Sequence, residues 1–302
     1  MKIGLIQLNT GSNKALNLAK AEVEVEKAVN EGARLILLPE NFNFRGTDEE
    51  NIAEAESIPG VSSEWACEMA RRHSVYFHLG SMIEKRQSKG GQQYEDKLAN
   101  GRENSEAGQY ANYSNKRFHT EEVLYNTSVV YDPQGEEVVR YSKIHLFDVD
   151  LPDGMTHRES SVVSAGKDIV TFTCEGLCFG LAICYDLRFP ELFRALVDKG
   201  AQVFLVPAAF TVPTGISHWE VLLRARAIEN GCYVVACGQW GPSDIGKNTY
   251  GHSMIVDPWG VIIAQCREEV GCIVGEVDAD YIHTVRKRMP IHKHRRSDLF
   301  FS

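Results

Sequence analysis

Gly180-Leu-Ala-Ile-Cys184-Tyr-Asp-Leu-Arg188-Phe-Pro190-Glu191 is the stretch on which the reading of this chain turns. The apolar run from Leu177 to Ile183 predicts a buried strand, which stops abruptly at the cysteine, and Pro190 suits the first turn of a helix. A thiol at the junction of a buried strand and a helix sits on a sharp turn beside free backbone N–H groups. A nucleophile and an oxyanion site can be built together there. Two other apolar segments end in a polar residue of a useful type: Leu35-Ile-Leu-Leu-Pro39 ends at Glu40, and Val138-Val-Arg-Tyr-Ser142 ends at Lys143. A base, a cation and a thiol at three strand ends point to a hydrolase. Each also has a plain structural reading, since a free cysteine commonly behaves as a small core hydrophobe, and Glu40 and Lys143 could be solvated charges. Their surroundings count against that reading. Lys143 is followed by Ile144, Leu146 and Phe147, and Glu40 comes after Leu-Leu-Pro, where an unpaired charge is costly. On chemistry alone the two readings balance.

Three motifs in order tip the balance: Leu-Leu-Pro-Glu40, then Tyr-Ser-Lys143-Ile-His-Leu-Phe-Asp148, then Ile-Cys184-Tyr-Asp-Leu-Arg-Phe-Pro-Glu191. Through them the chain resembles the carbon-nitrogen hydrolase (nitrilase) superfamily, from the strand at Lys2 to the tail His294-Arg-Arg-Ser-Asp-Leu299. The resemblance implies a catalytic triad of Glu40, Lys143 and Cys184, with Glu159 in Thr156-His-Arg-Glu159-Ser as the family's second glutamate, placed by loop spacing. It implies no metal and no organic cofactor. In that scheme Glu40 takes the thiol proton and returns it to the departing amine. Lys143 and the backbone N–H of Tyr185 hold the oxyanion, and Glu159 orients Lys143 or the substrate. Arg188 is the candidate clamp for a substrate carboxylate, because its planar fork makes two parallel hydrogen bonds; a salt bridge to Asp186 or Glu191 is its structural alternative. Phe210 and Thr211 are expected to form another pocket wall, whereas Trp219 and Arg224–Asn230 suit helix packing and an internal salt bridge.

His218-Trp-Glu-Val-Leu-Leu-Arg-Ala-Arg-Ala-Ile-Glu-Asn230 and Tyr250-Gly-His-Ser-Met-Ile-Val-Asp-Pro-Trp-Gly260 further resemble the Nit branch, on the side of the deaminated-glutathione amidases. The implied reaction is hydrolysis of deaminated glutathione to 2-oxoglutarate and cysteinylglycine, a metabolite-repair step. An ω-amidase acting on 2-oxoglutaramate or 2-oxosuccinamate is the enzymatic alternative. A catalytically idle interaction module is the alternative from a different class, because family members occur fused to a nucleotide-hydrolysing histidine-triad domain.

Composition sets the outer limits. The 302 residues, 43% hydrophobic, suffice for a large core. A net charge of −9 argues against a nucleic-acid partner, which would want a clustered basic face. The eight cysteines show no paired Cys-x-x-Cys spacing and lie mostly in apolar runs such as Cys232-Tyr-Val-Val-Ala-Cys237, as expected of reduced core thiols rather than disulfides or metal ligands. A first strand at Lys2 leaves no room for a presequence, and no apolar run approaches the roughly 18 residues that span a bilayer. The expectation is a cytoplasmic protein with a small-molecule amide substrate and no membrane partner.

Strand and helix patterns alternate along the chain. Helical spacing of Leu18, Ala21, Val25, Ala28 and Val29 predicts a helix over Lys14–Glu31. Single strands are predicted over Arg34–Leu38 and Val75–Met82, and hairpins around Asp132-Pro-Gln-Gly135 and before Cys184. Mixed hairpins and helices exclude an all-parallel sheet and suit the family's α/β fold, a four-layer α-β-β-α sandwich formed by residues 1–302 as one domain. Residues 84–122, nearly free of aliphatic side chains, are expected to form a mobile polar insertion. Residues 290–302 carry Ile291, Leu299, Phe300 and Phe301 among basic residues, and are expected to lie at the interface of a homodimer together with the helix starting at Pro190.

Overall fold

The computed structural model describes residues 1–87, 122–151, 154, 156–246 and 248–299. Two sheets carry the fold. The first has seven strands in the order Gly271–Glu276, Lys2–Gln7, Leu35–Leu37, Tyr76–His78, Glu122–Tyr131 and Met82–Gln87, with Glu137–Ser142 also paired to Glu122–Tyr131. The second has six, in the order Ile262–Gln265, Met254–Val256, Tyr233–Gly238, Val203–Ala208, Leu177–Leu181 and Thr171–Cys174. Parallel pairs occupy the middle of each sheet and antiparallel pairs the edges.

The period of two along each strand sorts side chains between two cores. Ile3, Leu5, Leu35 and Leu37 join the core that runs through the second sheet to Leu192, Phe193, Leu223 and Ala227. Their neighbours Ile6 and Ile36 turn the other way, onto Ala21, Val25, Met69 and Ala70 of the helices Lys14–Asn30 and Val61–His73. The helices Pro190–Asp198 and Glu220–Asn230 cover the second sheet. This is the expected α-β-β-α sandwich. At one end the sheets are stitched by a parallel bridge between Leu8 and Gln239. There Trp240 N–H donates to the Leu8 carbonyl (2.8 Å), and Thr10 N–H donates to Oε1 of the buried Gln239 (3.1 Å).

Local chemistry explains the boundaries. Asn13 caps the first long helix by accepting from Leu16 N–H. Pro190 takes the first-turn position expected of it. The Asp132–Gly135 hairpin joins Glu122–Tyr131 to Glu137–Ser142.

Two expectations need correction, and one strand was unforeseen. The single strand over Val75–Met82 is two strands, Tyr76–His78 and Met82–Gln87, broken where Gly80 adopts φ +75°. A Cβ at Gly80 would stand 2.0 Å from the Pro39 carbonyl, so the break lets the segment leading to Glu40 pass closely. The polar insertion begins later than 84. Residues 84–87 and 122 are strand, with Gln87 opposite Glu122, and Glu84 is buried; the rest of that stretch, 88–121, lies outside the described residues. Finally, Gly271–Glu276 is an edge strand pairing Lys2–Gln7 over six residues, a partner that sequence reading did not foresee.

All eight cysteines are free thiols. Among the described residues no helix is long and apolar enough to cross a membrane, and no group of three or more His, Cys, Asp or Glu side chains is arranged to hold a metal ion.

Candidate active site

Four side chains foreseen from sequence meet at the stitched end of the sandwich. Glu40 follows the strand Leu35–Leu37, Lys143 directly follows Glu137–Ser142, and Cys184 lies just beyond Leu177–Leu181. Glu159 opens a short 3-10 turn, Glu159–Ser161. Glu40 is their hub. Its Oε1 accepts from Lys143 Nζ (2.9 Å) and Asn126 Nδ2 (2.9 Å), and its Oε2 accepts from Ala209 N–H (2.9 Å). The Cys184 thiol sits close enough to the same carboxylate for its charge to act on the sulfur. Lys143 Nζ donates a second bond to Glu159 Oε2 (2.7 Å), which also takes Phe147 N–H (2.7 Å). Asn126 Nδ2 reaches Glu159 Oε1 as well (3.0 Å). Lys143 is only 2% exposed and Glu40 4%, so these bonds are the compensation that makes burying the charges tolerable.

Electrostatics separates the roles available to the groups. Burial works against the Lys143 ammonium, but the carboxylates of Glu159 and Glu40 outweigh it and hold its pKa well above the ordinary lysine value. Burial pushes the Cys184 thiol well above its usual value; the Glu40 charge adds to this and Lys143 opposes it. At neutral pH the site therefore contains a protonated thiol and an ammonium, both within the field of the Glu40 side chain. Such an arrangement can move one proton from sulfur to carboxylate as sulfur attacks a carbonyl carbon.

The turn holding Cys184 is strained and braced. Cys184 has φ +48°, unusual for a residue with a side chain, and opens the 3-10 helix Cys184–Arg188. The Cys184 and Tyr185 N–H groups lie in its first turn, where no intrahelical acceptor exists. The fully buried Asp186 carboxylate braces this turn. It accepts from Ile183 N–H (2.8 Å) and Tyr141 O–H (2.6 Å) on one oxygen, and from His145 N–H (3.0 Å) and Nδ1 (2.7 Å) on the other. It thereby ties the Cys184 turn to the segment after Lys143. Burial, reinforced by the Asp186 charge, holds Tyr141 well above the ordinary phenol value, so it remains a donor.

The four side chains face a cleft of about 200 Å³. Tyr185, Arg188, Phe210 and Thr211, the expected binding residues, all line it. Arg188 pairs with neither Asp186 nor Glu191. Its guanidinium lies over the rings of Tyr185 (5.6 Å) and Phe210 (5.5 Å), with Nη1 and Nη2 each 3.3 Å from His218 Nδ1. His218 belongs to a π-helical turn, Gly215–Trp219, ahead of the helix Glu220–Asn230. Trp219 is buried and donates to the His252 carbonyl (2.8 Å), and Arg226 pairs with Glu229 (2.9 Å), as helix packing required.

Sequence reading missed Asn126, Gln239 and Arg45. The usable signal for Asn126 was its amide amid the strand run Val123-Leu-Tyr-Asn126-Thr-Ser-Val-Val130. Gln239 Nε2 donates to the Glu40 carbonyl (3.0 Å), fixing the backbone behind the hub.

Comparison with known proteins identifies the family. The carbon-nitrogen hydrolase family model matches residues 2–287. This chain belongs to that family. It is a hydrolase of carbon-nitrogen bonds other than peptide bonds. It is 40% identical over 292 residues to a deaminated glutathione amidase of Synechocystis, covering 96% of each chain. To the omega-amidase NIT2 of Mus musculus it is 34% identical over 299 residues, covering 99% of this chain and 96% of the other. Among solved structures, the NitFhit protein of Caenorhabditis elegans superposes with a TM-score of 0.81 at 34% identity, over 99% of this chain and 65% of that longer one.

Proposed function

We propose that this protein is a cysteine-dependent amidase of 2-oxo acid amides, with deaminated glutathione as substrate and 2-oxoglutarate and cysteinylglycine as products. The observation that carries the mechanism is the single Glu40 carboxylate shared by the Cys184 thiol and the Lys143 ammonium. Glu40 takes the thiol proton as sulfur adds to the amide carbonyl. Lys143 and Tyr185 N–H hold the resulting oxyanion, with Glu159 keeping Lys143 aimed. Glu40 then returns the proton to the nitrogen, the C–N bond breaks, and the acyl group remains on sulfur as a thioester. Glu40 next takes a proton from water, which adds to the thioester; collapse releases the acid and restores the thiol. Arg188, with no carboxylate partner among the described residues, clamps the carboxylate of the 2-oxo acid, while Phe210 and Thr211 wall the acyl group.

The likeness to the Synechocystis enzyme favours deaminated glutathione, and that to the mouse omega-amidase gives 2-oxoglutaramate as the second reading. A side-by-side assay decides between them: the first reading expects the higher kcat/KM on deaminated glutathione, and a preference for 2-oxoglutaramate would reverse it. Release of no amine from either would leave only the idle module. The protein is further proposed to work in the reducing cytoplasm, where a thiol nucleophile survives. It is also proposed to act as a homodimer that buries the segment from Ile291 against the helix Pro190–Asp198. Leu299 is 63% exposed, and Arg295 already pairs with Asp198 at the end of that helix (2.7 Å); Phe300 and Phe301 lie outside the described residues. Light scattering of the full chain should give twice the chain mass, and an active monomer at micromolar concentration would refute the dimer.

A further inference from the structure

Arg45 lies in the loop between Glu40 and the short helix Asp48–Ala53, and nothing in the mechanism above uses it. It lines the same cleft as Cys184 and Arg188. Its Nη1 is buried without a hydrogen-bond partner, and no carboxylate among the described residues forms an ion pair with it. Asp48, which shares the cleft rim, makes no such contact. The surrounding structure desolvates the guanidinium strongly enough to lower its pKa, opposed by Glu40 and the nearby Cys184 sulfur, which puts it within electrostatic reach of the reacting atoms. A guanidinium nitrogen buried with its N–H groups unused is costly, and an arginine fork is shaped for a carboxylate. The cleft therefore holds two guanidiniums without carboxylate partners among the described residues, Arg188 on the Cys184 turn and Arg45 on the Glu40 loop.

We propose that Arg45 is a second carboxylate site, so that the cleft selects amides carrying one carboxylate at each end of the molecule. This rests on the amidase reading and deepens it. With Arg188 on the 2-oxo acid, Arg45 takes the carboxylate at the other end, beyond the scissile bond. Deaminated glutathione offers both, the second from its glycine; 2-oxoglutaramate offers only the first. Arg45 thus discriminates between the two substrate readings by charge placement rather than by pocket size.

The test is the ratio of kcat/KM for deaminated glutathione to that for 2-oxoglutaramate in Arg45→Met and Arg45→Lys. Losing a charge-assisted pair should lower the ratio about ten- to a hundredfold in Arg45→Met, with Arg45→Lys recovering part of it. Residual turnover of 2-oxoglutaramate reports that each variant is folded. An equal loss on both amides, or no loss on either, overturns the assignment. Calorimetric titration of Cys184→Ala with deaminated glutathione, with and without Arg45→Met, gives a readout that needs no turnover. Binding that weakens tenfold or more with Arg45→Met supports the subsite even if the intact enzyme hydrolyses neither amide, a result that would defeat the proposed reaction instead. Binding indifferent to Arg45 overturns the subsite.

Discussion

Two buried glutamates stand on opposite sides of one strand end, and only one of them is equipped for chemistry. Glu40 meets Lys143, while Glu84, 1% exposed, meets Arg86 and Arg140, and Arg86 also reaches Ser142 Oγ (2.8 Å). Ser142 and Lys143 are adjacent, so the strand's alternation sends them to different clusters. Around Glu84 the charged donors are guanidiniums, which keep their protons at any working pH, and Arg86 in turn donates to the hydroxyls of Thr127 and Ser142. Beside Glu40 stands the Cys184 thiol, and both line a cleft. A buried ion pair is thus no sign of function by itself. What distinguishes the two is a thiol beside the carboxylate that can give up a proton.

The sharpest way to break that contrast is to remove one charge from each cluster. Lys143→Met should lower kcat by about 10²–10³ or more, the cost of an oxyanion donor, with the far-ultraviolet circular dichroism unchanged. Glu84→Gln should do the reverse, costing about 1.5–3 kcal/mol of stability in urea unfolding while kcat stays within a few-fold. A near-normal rate in Lys143→Met would merge the two clusters into one structural class. Next in size, Arg188→Lys replaces a planar fork with a point charge and should lower kcat/KM for 2-oxo acid amides about tenfold. The loss should shrink for amides without that carboxylate, and equal loss on both would return Arg188 to a packing role.

A separate effect, of pH on stability, concerns His78, buried behind the Glu40 segment. Its Nδ1 accepts from Gly80 N–H (3.0 Å), and burial lowers its pKa from 6.5 to about 3. The neutral ring is favoured in the fold, so its contribution is complete above pH 6.5. It is lost as pH falls toward 3, because the unfolded chain binds the proton first. Stability should fall by at most about 1.4 kcal/mol per pH unit from this group between those limits. His78→Gln should flatten the slope of Tm against pH between 6.5 and 4, and an unchanged slope would show that other groups set it.

Much of this was legible because strand ends announce themselves. Leu-Leu-Pro-Glu40 and Ile-Cys184-Tyr each pass from an apolar run to a polar side chain, and burial of the run carries that side chain to the sheet end. The bracing was not legible for the same reason in reverse. Asn126 sits within a strand whose apolar neighbours promise only a core position, and its link from Glu40 to Glu159 exists only once three separate segments converge. Arg45 was hidden differently: a loop arginine in sequence is a solvated charge until the fold buries its Nη1. The break at Gly80 escaped because Gly80-Ser81 is only a two-residue gap between Leu79 and Met82, short enough for one strand pattern to absorb. The passage of Pro39 beside it is a tertiary event.

The claim on which all else depends is that sulfur of Cys184, not water, first attacks the substrate. Its test is mass spectrometry of the intact chain and its peptides, acid-quenched during turnover of deaminated glutathione. The account predicts an acyl adduct of the 2-oxo acid on the peptide containing Cys184, absent from Cys184→Ala and from the other seven cysteines. An adduct on a different cysteine, or rapid turnover by Cys184→Ala, would contradict it.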